Sequence, residues 1–190
     1  MSNFAEMFIV TKTEATLDAA TYVAQYRDAK RVQGYCAECR NYGKVWGCPP
    51  LASDGDDCVA GFGRIRLFGI KINFDQEMLM RTYSAEEIKK IIERALDEVW
   101  DDWLPKLYEM EAAHPGSRVF TGRCRLCRPL PCSRIEGKPC RHPDKLRHSL
   151  EAVGFDVVKS ANELLGIELQ WERDGHLSPY LTLVTAIFLP

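Results

Sequence analysis

The sequence predicts an α+β fold in which helices pack on a mainly antiparallel sheet. Three observations support this prediction: hydrophobic residues alternate over residues 64–74, a capped amphipathic helix begins near residue 84, and residues 180–189 are strongly β-prone. The chain has 190 residues, 46% of them hydrophobic, which is enough to bury the core of one domain. We therefore expect residues 1–190 to form a single α+β domain.

The first half of the chain is expected to contain two strands and one helix. Residues 4–11 (FAEMFIVT) predict the N-terminal strand, and apolar residues at helical spacing predict a helix over residues 16–31. Residues 64–74 (RIRLFGIKINF) predict a second strand, with Gly69 marking a bulge where the alternation shifts phase.

The middle of the chain predicts one long helix and a short strand. Ser84 and Glu87 form a capping-box pattern, and the apolar stripe that follows continues to Trp103. Pro105 is expected to end this helix near residue 104. Nine acidic and four basic residues lie between residues 86 and 111, which we interpret as a solvated acidic face. Residues 118–121 (RVFT) predict a short strand.

The C-terminal part is expected to add two helices and a hairpin. A proline and a glycine frame a helix of about three turns over residues 143–154, and Asp156 caps another that ends at Gly166. Residues 167–171 alternate and would pair with residues 180–189 in a terminal antiparallel hairpin.

The overall charge bears on location and partners. A formal charge of −2 and a pI near 6.1 give no global basic signal for nucleic acid or anionic membranes. The N-terminal residues lack a charged region followed by a long apolar region, and eighteen consecutive apolar residues occur nowhere. We therefore expect a cytoplasmic protein without a membrane partner, in which reduced cysteines favour metal binding over disulfides.

All eight cysteines fall into two groups. The first cysteine group, C-x2-C-x8-C-x9-C, consists of Cys36, Cys39, Cys48 and Cys58. The second cysteine group, C-x2-C-x4-C-x7-C, consists of Cys124, Cys127, Cys132 and Cys140. Ionised thiolates repel one another at such close spacing, and a cation removes this repulsion. All eight cysteines are therefore candidate metal ligands, in loops at residues 35–58 and 123–143.

The spacing of the cysteines favours iron–sulfur clusters over zinc. Zinc sites usually combine two C-x2-C pairs, whereas each group here has one such pair followed by two isolated cysteines. An irregular loop suits a 4Fe-4S cluster, whose irons are spread over a cube. We therefore predict one or two 4Fe-4S clusters. The alternative is one zinc ion held by Cys36, Cys39, Cys124 and Cys127, and disulfides are the third possibility.

Basic residues are interleaved with the second cysteine group. Residues 118–147 contain nine lysines and arginines but two acidic residues. Guanidinium groups would stabilise the negative charge of a thiolate-bound cluster. The candidate cofactor-binding residues are Arg123, Arg125, Arg128 and Arg141. The same residues would otherwise contact nucleic acid or an acidic protein, or form an ordinary solvated surface.

Two motifs in this sequence resemble a known family. The first joins Cys36 and Cys39 to Tyr42, Gly43, Lys44 and Trp46, and ends in Cys48, Pro49 and Pro50. The second joins Gly122, Cys124, Arg125, Leu126 and Cys127 to Pro139, Cys140, Arg141 and Pro143, and continues through Arg147, Ser149, Leu150, Glu151 and Ala152 to Gly154, Phe155, Asp156 and Val157. Together they resemble the predicted metal-binding proteins called domain of unknown function 2284. The resemblance implies a cytoplasmic bacterial or archaeal protein with cysteine-bound metal, in the form of iron–sulfur, and implies no particular reaction.

Three functions compete at this stage. The first is an iron–sulfur protein that exchanges electrons with a partner protein. The second is a zinc-stabilised module whose basic surface binds nucleic acid or an acidic protein. The third is an iron–sulfur enzyme with an open cluster position, which would follow if Cys58 or Cys132 is not a ligand. The sequence has no phosphate-binding glycine loop, zinc-protease motif or nucleophile elbow that would support other enzyme classes.

Overall fold

The structure is a computed structural model that describes residues 8–51 and 55–190. Four strands form one antiparallel sheet in the order β1-β2-β4-β3, which confirms the predicted α+β class. The strands are β1 (Phe8–Asp18), β2 (Arg64–Phe74), β3 (Arg118–Phe120) and β4 (Tyr180–Leu189). Of the predicted N-terminal strand, residues 4–7 lie outside the described residues, and β1 continues well beyond residue 11.

Strand β2 pairs on both sides without interruption, so the bulge predicted at Gly69 is wrong. Gly69 lies opposite Thr13 of β1 and Val184 of β4 in continuous registers. A β carbon at Gly69 would lie 2.6 Å from Cδ1 of Ile167, closer than side chains can approach. The apparent phase shift therefore marks a place where the sheet needs a residue without a side chain, because another segment packs directly on the backbone.

Each face of the sheet carries its own hydrophobic core. On one face, Ile65 and Leu67 pack with helices α1 (Ala19–Tyr26) and α5 (Val157–Leu165). On the other face, Phe68 and Ile70 pack with the long helix α4 (Ala85–Ala113). The alternation of β2 thus supplies both cores, as expected for a central strand covered on both sides.

The helix predicted over residues 16–31 is two shorter helices. Strand β1 extends to Asp18, whose side chain accepts a hydrogen bond from the Thr21 amide and caps α1. The chain leaves α1 at Arg27, and Asp28 then caps α2 (Ala29–Glu38). Both aspartates favour a helix start, because their side chains satisfy amides that lack a partner in the first turn.

Helix α4 begins as predicted but does not end at its proline. The Ser84 side chain and the Glu87 side chain form the reciprocal capping box. The helix continues through Pro105 to Ala113, with Trp103 and Leu107 buried on either side of the proline. Their burial against the sheet offsets the one backbone hydrogen bond that proline removes. A short helix, α3 (Gln76–Leu79), precedes α4.

The last third of the chain differs most from the prediction. Residues 143–154 form two isolated 3₁₀ turns, Pro143–Lys145 and Glu151–Val153, in place of a three-turn helix. The Asp156 cap and the end of α5 at Gly166 are confirmed, and Gly166 adopts a left-handed conformation. The terminal hairpin is wrong, because β4 pairs with β2 on one side and β3 on the other, which leaves residues 167–171 outside the sheet.

No helix in the described ranges has the length and apolar character needed to cross a membrane.

Candidate metal centre

A series of tight turns carries the first cysteine group. Cys36 lies in the last turn of α2, and the Cys39 amide donates a hydrogen bond of 3.0 Å to the Cys36 carbonyl oxygen. Gly43, at a left-handed φ of 67°, donates from its amide to the Pro49 carbonyl oxygen at 2.8 Å and closes the loop. This folding back places Cys36, Cys39 and Cys48 around one cavity.

We call this space the first cavity; it has a volume of about 340 Å³. Its walls combine the three thiols with aromatic and aliphatic side chains and with a few polar groups. Besides the cysteines, the lining includes Val32, Tyr35, Phe155, Val157, Val158, Leu169, Arg123, Ser149, Glu151 and Asp156. The first cavity is therefore larger than the three sulfur atoms alone require.

Cys58, the fourth member of the first group, lies elsewhere. Its side chain is buried in the core beside β2 and lines a different cavity of about 380 Å³. The other residues of that cavity include Glu111, Arg118, Arg147 and His148. The structure thus brings together three cysteines of the first group and separates the fourth from them.

The second cysteine group surrounds a smaller cavity of about 170 Å³. Cys124, Cys127 and Cys132 line this second cavity, and Cys140 interacts electrostatically with Cys124. The buried Ser133 hydroxyl donates to the Pro139 carbonyl oxygen at 2.7 Å, which closes the loop between the last two cysteines. All four cysteines of this group therefore belong to one compact loop.

The two cysteine loops are in direct contact. A β carbon at Gly47 would lie 3.1 Å from the Cys124 β carbon, so the backbone beside Cys48 abuts the second group. The Trp46 indole donates to the Lys138 carbonyl oxygen at 3.1 Å. Arg134 donates to three carbonyl oxygens of the first loop, those of Val45, Cys48 and Pro50. The two loops thus form one unit, from which Cys58 alone of the eight cysteines is separated.

The surroundings of the thiols oppose their ionisation in the absence of a cation. Burial, followed by the Cys39 and Cys36 thiols, raises the pKa of Cys48 to about 12. Burial also raises the pKa of Cys36 and of Cys124 above the ordinary value for a thiol. A thiophilic cation would reverse this effect by stabilising the thiolates.

The donor set fits iron or zinc, both of which bind thiolate sulfur. Within residues 8–51 and 55–190, no three His, Cys, Asp or Glu side chains are arranged closely enough to hold a metal ion. The candidate ligands nevertheless share two small cavities whose backbones are fixed by hydrogen bonds.

Most of the interleaved arginines contact the protein itself. Arg125 pairs with Asp97 of α4, and Arg128 pairs with Asp97 and Asp101. The Arg147 guanidinium donates hydrogen bonds to both carboxylate oxygens of Glu111, with nitrogen–oxygen distances of 2.5–3.0 Å. The acidic face of α4 therefore anchors the second loop, which differs from the solvated face that we expected.

The remaining two candidate arginines are placed differently. Arg141 is exposed and donates to the Pro131 carbonyl oxygen within its own loop at 2.7 Å. Arg123 is partly buried and lines both the first and the second cavity. It forms no hydrogen bond or ion pair with any residue that the structure describes.

Glu151 is a site residue that the sequence did not single out for chemistry. It lines the first cavity, and burial raises the pKa of its carboxyl group. The Cys36 thiol donates a weak hydrogen bond of 3.9 Å to its carbonyl oxygen. The two residues are 115 positions apart, so no local pattern could reveal this contact.

Fold and site together define an α+β protein that presents thiols from two contacting loops at one end. A family described as "Predicted metal-binding protein (DUF2284)" matches residues 22–189. The chain belongs to this family, which confirms the resemblance seen in the two motifs. No curated protein and no solved structure gives a significant match.

Proposed function

We propose that this protein is a cytoplasmic iron–sulfur protein that transfers electrons, with one or two 4Fe-4S clusters bound by the two cysteine groups. The observation that carries the proposal is the contact between the two loops at Gly47 and Cys124. Six free thiols line the two adjoining cavities there, Cys140 interacts electrostatically with Cys124, and none of the eight cysteines forms a disulfide.

The protein contributes ligands, burial and nearby charge. In this proposal, thiols of both cavities turn toward the metal, and the irregular spacing of each group suits a cluster better than a single ion. When bound, such a cluster supplies a one-electron redox couple. Trp46 covers the contact between the loops, and Arg134 stacks over its ring at 4.9 Å while tying the loops together.

The exposed basic residues are candidates for docking a redox partner. Arg125, Arg128 and Arg147 are neutralised by acidic residues of α4. Arg141 and Lys145 remain exposed beside the second loop. An acidic partner protein docked there would lie next to the second cysteine group, where charge complementarity speeds association.

Two alternatives use the same geometry. A single zinc ion bound by Cys36, Cys39, Cys124 and Cys127 is favoured by the contact between the loops, and would leave the exposed basic residues to bind nucleic acid or an acidic protein. An enzyme with an open cluster position is favoured by the separate location of Cys58, because the first cavity then offers three thiols beside empty space. The zinc alternative differs from the proposal in metal and sulfide content, whereas the enzyme alternative has the iron and sulfide content of a cluster.

The test is metal analysis of anaerobically purified protein, with iron, zinc and acid-labile sulfide measured per chain alongside the visible spectrum. A 4Fe-4S cluster contains four irons and four sulfides, so we expect about four or about eight of each per chain. A reversible reduction at an accessible potential should accompany the cluster. Zinc without sulfide, or a cluster that cannot be reduced, would contradict the proposal.

A further inference from the structure

Arg123 lies where three cavities meet. It lines the first cavity beside Cys36 and Cys48, and the second cavity beside Cys124. It also lines a third cavity of about 190 Å³ between the loops and α4, which includes Arg40 and Trp100. Arg123 is therefore a residue that these three cavities share.

This guanidinium has no hydrogen-bond or ion-pair partner within residues 8–51 and 55–190. Two acidic residues of α4, Glu93 and Asp97, act on it electrostatically, and Asp97 already pairs with both Arg125 and Arg128. Arg123 makes neither a hydrogen bond nor an ion pair with the described part of the chain. A partly buried guanidinium in this state is stabilised by an anion, because its five donors otherwise lose contacts with water.

The rest of the first cavity is suited to an apolar group. Val157 and Val158 from the start of α5, together with Leu169, form an aliphatic wall. Asp156 also lines the cavity, but it is bound by Arg31 at 2.6 Å and by the Lys159 amide. Glu151 lies on the cysteine side, where it interacts electrostatically with Cys36 and Cys48. The volume of about 340 Å³ is in the range of sites for small organic ligands.

We propose that the first cavity binds a small carboxylate with an apolar body, the carboxylate on Arg123 and the body against the α5 wall. A planar guanidinium binds a carboxylate through two parallel hydrogen bonds, so one arginine is sufficient. Phosphate sites usually combine several cations or backbone amides, and the aliphatic wall offers neither. This binding site goes beyond electron transfer, and it shares the first cavity with any metal that Cys36, Cys39 and Cys48 bind.

The test measures binding of four probes to the anaerobically purified protein by isothermal titration calorimetry. The probes are hexanoate, hexanamide, acetate and inorganic phosphate. We expect hexanoate to bind at least tenfold more tightly than hexanamide, which lacks the charge, and than acetate, which lacks the apolar body. The same ordering in ligand-observed NMR would exclude a heat effect from buffer or metal.

Variants assign the site to its residues. Arg123→Gln should weaken hexanoate binding at least tenfold, and Arg123→Lys should give an intermediate loss because lysine keeps the charge without the planar fork. Val158→Ser, at a position on α5 that is 51% exposed, should reduce the advantage of hexanoate over acetate without disturbing the core. Arg64→Gln, at an exposed position at the start of β2, is the matched control and should leave binding unchanged.

Equal affinity for hexanoate and hexanamide, equal affinity for hexanoate and phosphate, or unchanged binding by Arg123→Gln would overturn the proposal. Iron, zinc and sulfide are measured on the same preparation. Normal cluster content without hexanoate binding would therefore overturn only the carboxylate site. Hexanoate binding in a protein without a cluster would support the carboxylate site and contradict the iron–sulfur function.

Discussion

Arg134 in the second cysteine loop donates a hydrogen bond of 2.7 Å to the carbonyl oxygen of Cys48 in the first. The same guanidinium also reaches the carbonyl oxygens of Val45 at 3.0 Å and Pro50 at 2.6 Å. Three backbone acceptors on one side chain fix the position of Cys48 relative to the second group. No other side chain described in the structure makes as many hydrogen bonds between the two loops.

The first prediction follows from this contact. We expect Arg134→Gln to lower the free energy of unfolding by at least about 1.5 kcal/mol, measured on protein from which a chelator has removed any metal. This value is the lower limit for a single hydrogen bond that involves a charged group. Urea unfolding measures the change. Arg141→Gln is the control, because Arg141 contacts only a carbonyl of its own loop, and it should cost less than about 1 kcal/mol. Equal effects of the two substitutions would show that the contact between the loops adds no stability.

The second prediction concerns which cysteines bind the metal. Cys48→Ser should remove metal from the first group, since Cys48 lies in the first cavity with two other thiols. Cys58→Ala should leave the metal and sulfide content unchanged, because Cys58 lies in the core on a different cavity. Iron, zinc and sulfide per chain are the measurement. Loss of metal in both variants would mean that Cys58 moves to join the group when metal binds.

The third prediction compares two threonines of β4. The Trp103 indole donates to the Thr185 hydroxyl at 3.0 Å, and both side chains are buried. Thr185→Val would leave that N–H group without a partner and should destabilise the protein by about 1–3 kcal/mol. The hydroxyl of Thr182 is buried without a partner in the described residues, so Thr182→Val should be neutral or stabilising by up to about 1 kcal/mol.

Denaturant titrations of the two valine variants, compared with the parent, measure this difference. The substitution is the same on the same strand, so changes in strand propensity and in side-chain volume nearly cancel. A comparable loss in both variants would indicate that the Trp103 hydrogen bond is not responsible.

The fourth prediction concerns the dependence of stability on pH. Burial, and then the nearby Arg118 charge, lowers the pKa of His148 in the folded protein. The unfolded chain therefore takes up this proton first as the pH falls below about 6.5. The contribution of neutral His148 to stability is complete above that pH and is lost as the pH falls toward the lower pKa of the folded state.

His148→Gln should accordingly lose less stability than the parent between pH 7.5 and pH 5.5, because glutamine does not titrate and its amide can still donate to the Gly47 carbonyl oxygen. Urea unfolding at both pH values, at matched metal content, measures the difference. Parallel losses in the two proteins would mean that His148 does not contribute to the acid dependence.

Elements with strong local signals could be predicted from the sequence. The Ser84 capping box, the Asp156 cap and the alternation of β2 each depend on residues a few positions apart. Tertiary packing decided the rest. Pro105 stays within α4 because Trp103 and Leu107 are buried around it, and residues 167–171 form no strand because both edges of β4 are already paired.

The sequence identified candidate ligands but not their arrangement in space. The spacing of the cysteines identified the candidate donors, and the structure brings six of the eight to two adjoining cavities, with Cys140 acting electrostatically on Cys124. The separate location of Cys58, the anchoring of Arg125 on α4 and the approach of Glu151 to Cys36 all depend on contacts between distant segments. Sequence spacing carries no information about such contacts.

The two cores on opposite faces of the sheet have a consequence for assembly. Most of their aliphatic and aromatic side chains come from the strands and helices, and among the described residues Cys58 is the one cysteine buried in either core. Small zinc domains depend on their metal to fold, because they have no comparable core. Here the scaffold has its own source of stability, so the chain can fold first and accept its metal afterwards. We therefore expect metal loading to follow folding rather than to drive it.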